Sequence, residues 1–235
     1  MARPRRPIPQ LAAAALVVAA SAVFWFGLVP QSWSPFPRLD LATPSQWFVD
    51  VRLASLRRDR GACAAIFRSP VATTKPLVDF AGKDGCGWTN AVAVSSAGGA
   101  ALSAPQLTCE AAAALALWVE HEVQPLAAQH FGSRVTHIAT MGTYACRNII
   151  GRRFLGNVRS QHATANAIDI AGFRLASGGT IGIKRDWNGE AAKARFLRDA
   201  HRGACRYFRV ALSPEFNEAH RDHFHFDRGP LWRCK

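Results

Sequence analysis

Ser160-Gln161-His162-Ala163-Thr164-Ala165-Asn166-Ala167-Ile168-Asp169-Ile170 and, nearer the C-terminus, His220-Arg221-Asp222-His223-Phe224-His225-Phe226-Asp227 are the stretches on which the reading of this chain turns. Together they hold four of the eight histidines, set with carboxylates among apolar residues. Side chains alternate across a strand, so His223, His225 and Asp227 share one face of the second stretch and the two phenylalanines take the other. If the first stretch is also extended, Ile168 and Ile170 face away from Asp169. Same-face neighbours lie about 6.8 Å apart, so one histidine can hold a metal while the other reaches water or substrate. Neutral imidazole and carboxylate suit zinc, and three such ligands with one open position make a catalytic centre. The expected ligands are His162, Asp169 and His225, with His223 working beside them.

Outward from these strands the chain alternates short strands with helices. Cys109 to Phe131 is rich in alanine and leucine and stops at Gly132, which predicts a helix. Glu120 and His121 within it read as a solvated face. Gly189 to Ala204 predicts a second helix, and Val49, Leu53 and Leu56 have the spacing of a short one. Arg134–Thr140, Thr180–Trp187, Arg206–Leu212 and His223–Asp227 predict strands. Cys63 to Ala104, with its many glycines, reads as loop with short strands. The interleaved order points to an α+β fold: a small, mainly antiparallel sheet flanked by helices.

With 235 residues, 49% of them hydrophobic, the chain can bury a full core, and its formal charge of +13 favours an anionic partner. Its arginines are scattered and no nucleic-acid module accompanies them, so a basic solvated surface is the plain reading, and as an anionic partner cell wall or membrane fits better than nucleic acid. The six cysteines form none of the close pairs of a zinc ribbon or a redox motif. Their wide spacing and even number predict disulfides in an oxidising compartment, with 15 connectivities open.

Arg3, Arg5 and Arg6 precede an uncharged run from Leu11 to Val29. The positive-inside bias predicts a cytoplasmic tail over 1–10, a single transmembrane signal anchor over 11–29 and everything beyond it outside the cytoplasm. A cleaved signal peptide is the rival reading, but the apolar run continues past Ala20-Ser21-Ala22. Residues 30–60 then form a juxtamembrane linker with one short helix, and 61–235 the main domain.

Ser160-x-His162 with Ala167-x-Asp169 and His223-x-His225 resembles the zinc peptidases of the D-Ala-D-Ala carboxypeptidase, murein endopeptidase and lysostaphin clan. More closely, Tyr144-Ala145-Cys146-Arg147, Ser160–Phe173 and His220–Asp227 resemble the bacterial family of extensin-like C-terminal domains, over roughly Cys63 to the C-terminus. The resemblance implies Zn2+ held by His162, Asp169 and His225. It implies that His223 orients or deprotonates the attacking water, with Asp222 as a rival base, and that Arg147 stabilises the substrate oxyanion. His220 stands where murein endopeptidases carry a further active-site histidine. The clan usually has glycine where Ala165 stands, three residues after the first ligand. Implied is a membrane-anchored periplasmic protein of the bacterial inner membrane that hydrolyses peptide bonds in peptidoglycan stems or cross-links. A catalytically degenerate wall- or metal-binding domain, and a closed structural zinc site with His223 as fourth ligand, stay open as alternatives. Oligomeric state and the bond cleaved are not legible.

Overall fold

The computed structural model of the chain describes residues 8–150 and 156–235. Its helices are α1 (Ile8–Trp25), α2 (Val49–Ala54), α3 (Arg60–Ile66), α4 (Cys109–Trp118), α5 (Gln124–Phe131), α6 (Ile183–Asp186) and α7 (Ala191–Ala204). The strands are β1 (Ala72–Pro76), β2 (Phe80–Ala81), β3 (Gly87–Trp88), β4 (Ala91–Ala97), β5 (Ala100–Ala101), β6 (Gln106–Thr108), β7 (Val135–Gly142), β8 (Ala167–Leu175), β9 (Thr180–Gly182), β10 (Val210–Leu212), β11 (Phe224–Asp227) and β12 (Arg233–Cys234). Ten of these form one sheet in the order β1-β4-β5-β7-β8-β11-β10-β12, with β6 beside β4 and β9 beside β8; β2 and β3 pair separately.

The α+β class is as expected, but the sheet is large rather than small and it is mixed: among the described residues seven of its nine joins are antiparallel and two are parallel. β5 runs parallel to β7 and β12 parallel to β10. Five of the strands lie in the glycine-rich segment read as loop with short strands, and β12 comes from the last residues of the chain. Thr180–Trp187 is a strand only to Gly182. There Asp186 accepts the Gly182 N–H at 2.8 Å, and a short helix begins instead.

Cys109–Phe131 is one continuous helical rod, as its composition predicts, with a π turn at Val119–Val123 between α4 and α5. Pro125 explains the turn: it has no N–H to give and its ring crowds the preceding turn, so the helix widens upstream of it. Every residue of α4 is buried, and Trp118 at its end donates its Nε1–H to the Ala200 carbonyl of α7 at 2.8 Å. These helices cover the sheet face that carries Ile168, Ile170, Phe224 and Phe226, all fully buried. The opposite face of the same strands is left for the polar residues.

Among the described residues no helix is long and apolar enough to cross a membrane. The apolar run continues to Val29, but α1 stops at Trp25. Gly27 takes φ +61° while Gly27 N–H donates to Phe24 O and Leu28 N–H to Val23 O, which closes the helix with a paired C-terminal cap. Only glycine fits, since a Cβ there would lie 2.2 Å from Ala54 O. The segment read as linker is packed rather than loose: Leu39, Leu41, Leu53 and Leu56 all join the main core.

Three disulfides join Cys63–Cys109, Cys86–Cys146 and Cys205–Cys234, leaving no free cysteine among the described residues. The first two interleave along the chain, a pairing that spacing alone does not reveal.

Candidate metal centre

β8 and β11 run antiparallel with His225 directly opposite Asp169, flanked by the pairs Phe224–Ile170 and Phe226–Ile168. This register places a histidine and a carboxylate side by side on the uncovered face. His162 arrives from a single 3₁₀ turn, Gln161–Thr164, whose first residue follows Ser160; the Ser160 hydroxyl accepts the His162 N–H at 3.3 Å. The turn ends at Ala165, which adopts the left-handed conformation at φ 52°, ψ 28°. Alanine pays about 1 kcal/mol or more for that geometry, yet it takes it, and the turn closes.

The result is a triangle of ligand atoms. His162 Nε2 lies 3.1 Å from Asp169 Oδ1 and 3.1 Å from His225 Nδ1, and the last two are 3.0 Å apart. A tetrahedron with arms of about 2.0–2.1 Å, the usual zinc–nitrogen and zinc–oxygen lengths, has edges of about 3.3 Å. Three donors that converge this closely fit a metal ion of that size.

Both imidazoles are also held from behind in the tautomer a metal needs. His162 Nδ1–H donates to the Thr143 carbonyl at 3.3 Å, which can only accept, so Nε2 carries the lone pair. His225 Nε2–H donates to Asp227 Oδ2 at 3.0 Å, which leaves Nδ1 bare towards the cluster. Such outer partners set ring orientation and raise ligand basicity. Asp227 is in turn fixed by the Gly229 N–H, 2.8 Å from its Oδ1.

The electrostatics agree with a cation-seeking cluster. Burial works against a charged His225, but hydrogen bonds to Asp169 and Asp227 outweigh it and raise its pKa to about 9. Burial would likewise push Asp169 up, yet hydrogen bonds and charge from His162 and His225 hold its carboxyl far below the usual range. Positive charge is therefore stabilised at this point, whether carried by a proton or by a metal ion.

Around the triangle stand the remaining expected residues. His223 Nδ1–H donates to Asp222 Oδ1 at 2.9 Å, and its free Nε2 lies 3.7 Å from Asp169 Oδ1. Asp222 thus sits behind His223 rather than in front of the cluster, and the hydrogen bond from His223 lowers its pKa. His220 donates Nδ1–H to Asn217 Oδ1 at 2.6 Å and packs against His223 and His225. Burial, then the nearby charges of His225 and His223, push its pKa down to about 4, so it is neutral at pH 7. Arg147 reaches the same place from the segment after β7. Cys146 ties that segment to Cys86, while Ser160 N–H donates to the Arg147 carbonyl. Its guanidinium makes no ion pair among the described residues.

Arg147, Asp169, His220, His223 and His225 line one cleft of about 570 Å³, which His162 and Asp222 do not line. Leu231, Trp232 and Arg233 form a further wall, delivered by the C-terminal strand β12 and its disulfide. Two features escaped sequence reasoning. Asp227 was visible as a same-face neighbour of His225 but not as its hydrogen-bond partner, and the C-terminal tail gave no periodic signal at all.

A mixed-sheet α+β domain with a His–Asp–His cluster in an open cleft is what the fold and site define. The family model for the extensin-like protein C-terminus matches residues 61–235, and the chain belongs to that family. No curated protein and no solved structure matches it.

Proposed function

We propose that this protein is a zinc-dependent peptidase of the cell wall, anchored through its N-terminal segment in the bacterial inner membrane with the domain in the periplasm. Its substrate class is the peptide of peptidoglycan, in stems or cross-links. The observation that carries the reading is the triangle of His162, Asp169 and His225, tautomers set from behind, facing an open cleft. Zinc bound there supplies Lewis acidity, which acidifies water and polarises a carbonyl.

The chain's own groups do the rest. His223, with Nδ1 committed to Asp222, presents a basic Nε2 at the cluster and takes a proton from the attacking water. Asp222 keeps that tautomer and stabilises the imidazolium, an arrangement that favours His223 as the base. Arg147 contributes a positive charge to the developing oxyanion. Once protonated, His223 passes the same proton from its Nε2 to the leaving amine, while neutral His220 packs on His223 and His225 and helps hold them in place. Excess basic charge suits an anionic polymer.

The test combines zinc content with digestion. The purified protein should hold one zinc and release soluble peptides or cross-link fragments from purified peptidoglycan, and a chelator should stop the release. Zinc held at one per chain without any released fragment would replace this reading with that of a wall-binding domain.

A further inference from the structure

We infer that an aromatic belt around the end of α1 seats the domain on the surface of a phospholipid bilayer, with the cleft mouth beside the lipid. The inference rests on α1 being the lipid anchor and goes beyond it, because an anchor alone leaves the domain free to hang at any height and angle.

Three observations carry it. First, α1 offers apolar side chains to its surroundings: Leu11, Leu16, Val17 and Val18 are 65–72% exposed, far more apolar surface than a helix in water leaves uncovered. Second, half-buried and exposed aromatics continue from its last turn in ring-to-ring contact. Phe24 packs on Phe36 at 5.5 Å and Phe36 on Phe48 at 4.8 Å, while Trp25 packs on Trp232 at 6.0 Å. Next to Phe48 stands Trp47, 85% exposed, and Trp232 is 56% exposed. Tryptophan rings with one wet edge and one apolar face favour the headgroup level of a bilayer. Third, the junction is rigid. Buried Arg209 donates to the Trp25 carbonyl at 2.8 Å and stacks on the Trp25 ring at 3.8 Å. Arg57 donates to the Phe26 carbonyl at 3.1 Å. Guanidinium groups on the last carbonyls of a helix suit its negative end.

Trp232 belongs to both places at once, since it packs on the end of α1 and lines the cleft. The cleft then takes peptides presented at the membrane face rather than deep in a polymer layer. The charge of +13 adds attraction to anionic headgroups.

The experiment uses the full chain reconstituted in vesicles of phosphatidylethanolamine and phosphatidylglycerol. A photo-cross-linking benzoylphenylalanine replaces, one at a time, Val17 in α1, Trp47 and Trp232 in the belt, and exposed Arg195 on α7. Lipid adducts are counted by mass spectrometry. Adducts at Val17, Trp47 and Trp232 should exceed those at Arg195 by at least about tenfold, as for groups at or below headgroup level. Adducts at Val17 with Trp47 and Trp232 no better than Arg195 would overturn the belt and leave the anchor standing. Absence of adducts at Val17 would remove the anchor and the belt with it. Cross-links between two copies of the chain at Trp47 or Trp232, without lipid adducts, would make the belt a self-contact and overturn the inference.

Discussion

Asp227 stands two residues beyond His225 on the same strand face and accepts the His225 Nε2–H at 3.0 Å. That bond decides which nitrogen of His225 faces the cluster. Replacing Asp227 by Asn keeps the shape but removes the charge that makes His225 a better ligand. Outer-sphere changes of this kind typically cost about 10–100-fold in metal affinity. We expect Asp227→Asn to lose zinc to a competing chelator at a correspondingly lower concentration, with an unchanged circular dichroism spectrum. Wild-type affinity in the variant would show that His225 needs no partner.

Ala165 tests whether the departure from glycine harms the site. Its left-handed backbone costs about 1 kcal/mol or more. Ala165→Gly relieves that cost but returns about 0.4–1 kcal/mol of freedom to the unfolded chain. It also gives up a fully buried methyl, worth about 0.8 kcal/mol. These terms nearly cancel. The variant should melt within about 4 °C of the wild type, given roughly 2–4 °C per kcal/mol at this size, and should bind as much zinc. A large gain in zinc content would mean that alanine distorts the turn.

The site was legible in the sequence to the extent that strand alternation governs it. His223-Phe224-His225-Phe226 and Ile168-Asp169-Ile170 divide between core and cleft as a period of two requires. The hydrogen bond from His225 to Asp227 depends on a ring rotation, which no pattern of residues encodes. Leu39 and Leu41 enter the core from irregular chain, where burial leaves no periodic trace. Strand β12 has two residues, too few for alternation, and is defined by its partner and its disulfide instead. Likewise Cys63 finds Cys109 across an intervening cysteine because α3 packs near the start of α4, a consequence of folding rather than spacing.

Asp50 links this frame to α1. Its Oδ2 lies 2.8 Å from Arg209 Nη2 and its Oδ1 2.6 Å from Arg228 Nη1, both guanidiniums buried. Burial would raise its pKa, but Arg209 and Arg228 outweigh burial and hold it below the usual range. A depressed folded pKa gives stability that is fully present above the unfolded value of about 3.9 and lost as pH falls through the folded value. Asp50→Asn leaves Arg209 without its carboxylate, a change that typically costs about 3–5 kcal/mol; Arg228 keeps Glu110, which favours the lower figure. Urea melts from pH 7 to pH 3 should find the variant less stable at pH 7 and flatter in pH dependence below pH 5. Parallel curves would mean that Asp50 contributes nothing to acid unfolding.

His223 and its partner separate catalysis from metal binding. His225→Ala removes one corner of the ligand triangle and should abolish stoichiometric zinc binding. His223→Ala leaves all three ligands and should keep the zinc, yet lose most peptidase turnover, because a positioned proton-transfer group contributes about 10²–10⁴-fold. Asp222→Asn still accepts the Nδ1–H through its amide oxygen, so His223 keeps its orientation, but the imidazolium formed in the reaction loses the facing negative charge. Its turnover should therefore fall between wild type and His223→Ala. Zinc content and turnover read together decide the roles. Zinc lost with His223→Ala would make His223 a fourth ligand of a closed structural site. If Asp222→Asn were as inactive as His223→Ala, Asp222 rather than His223 would be the group that takes the proton.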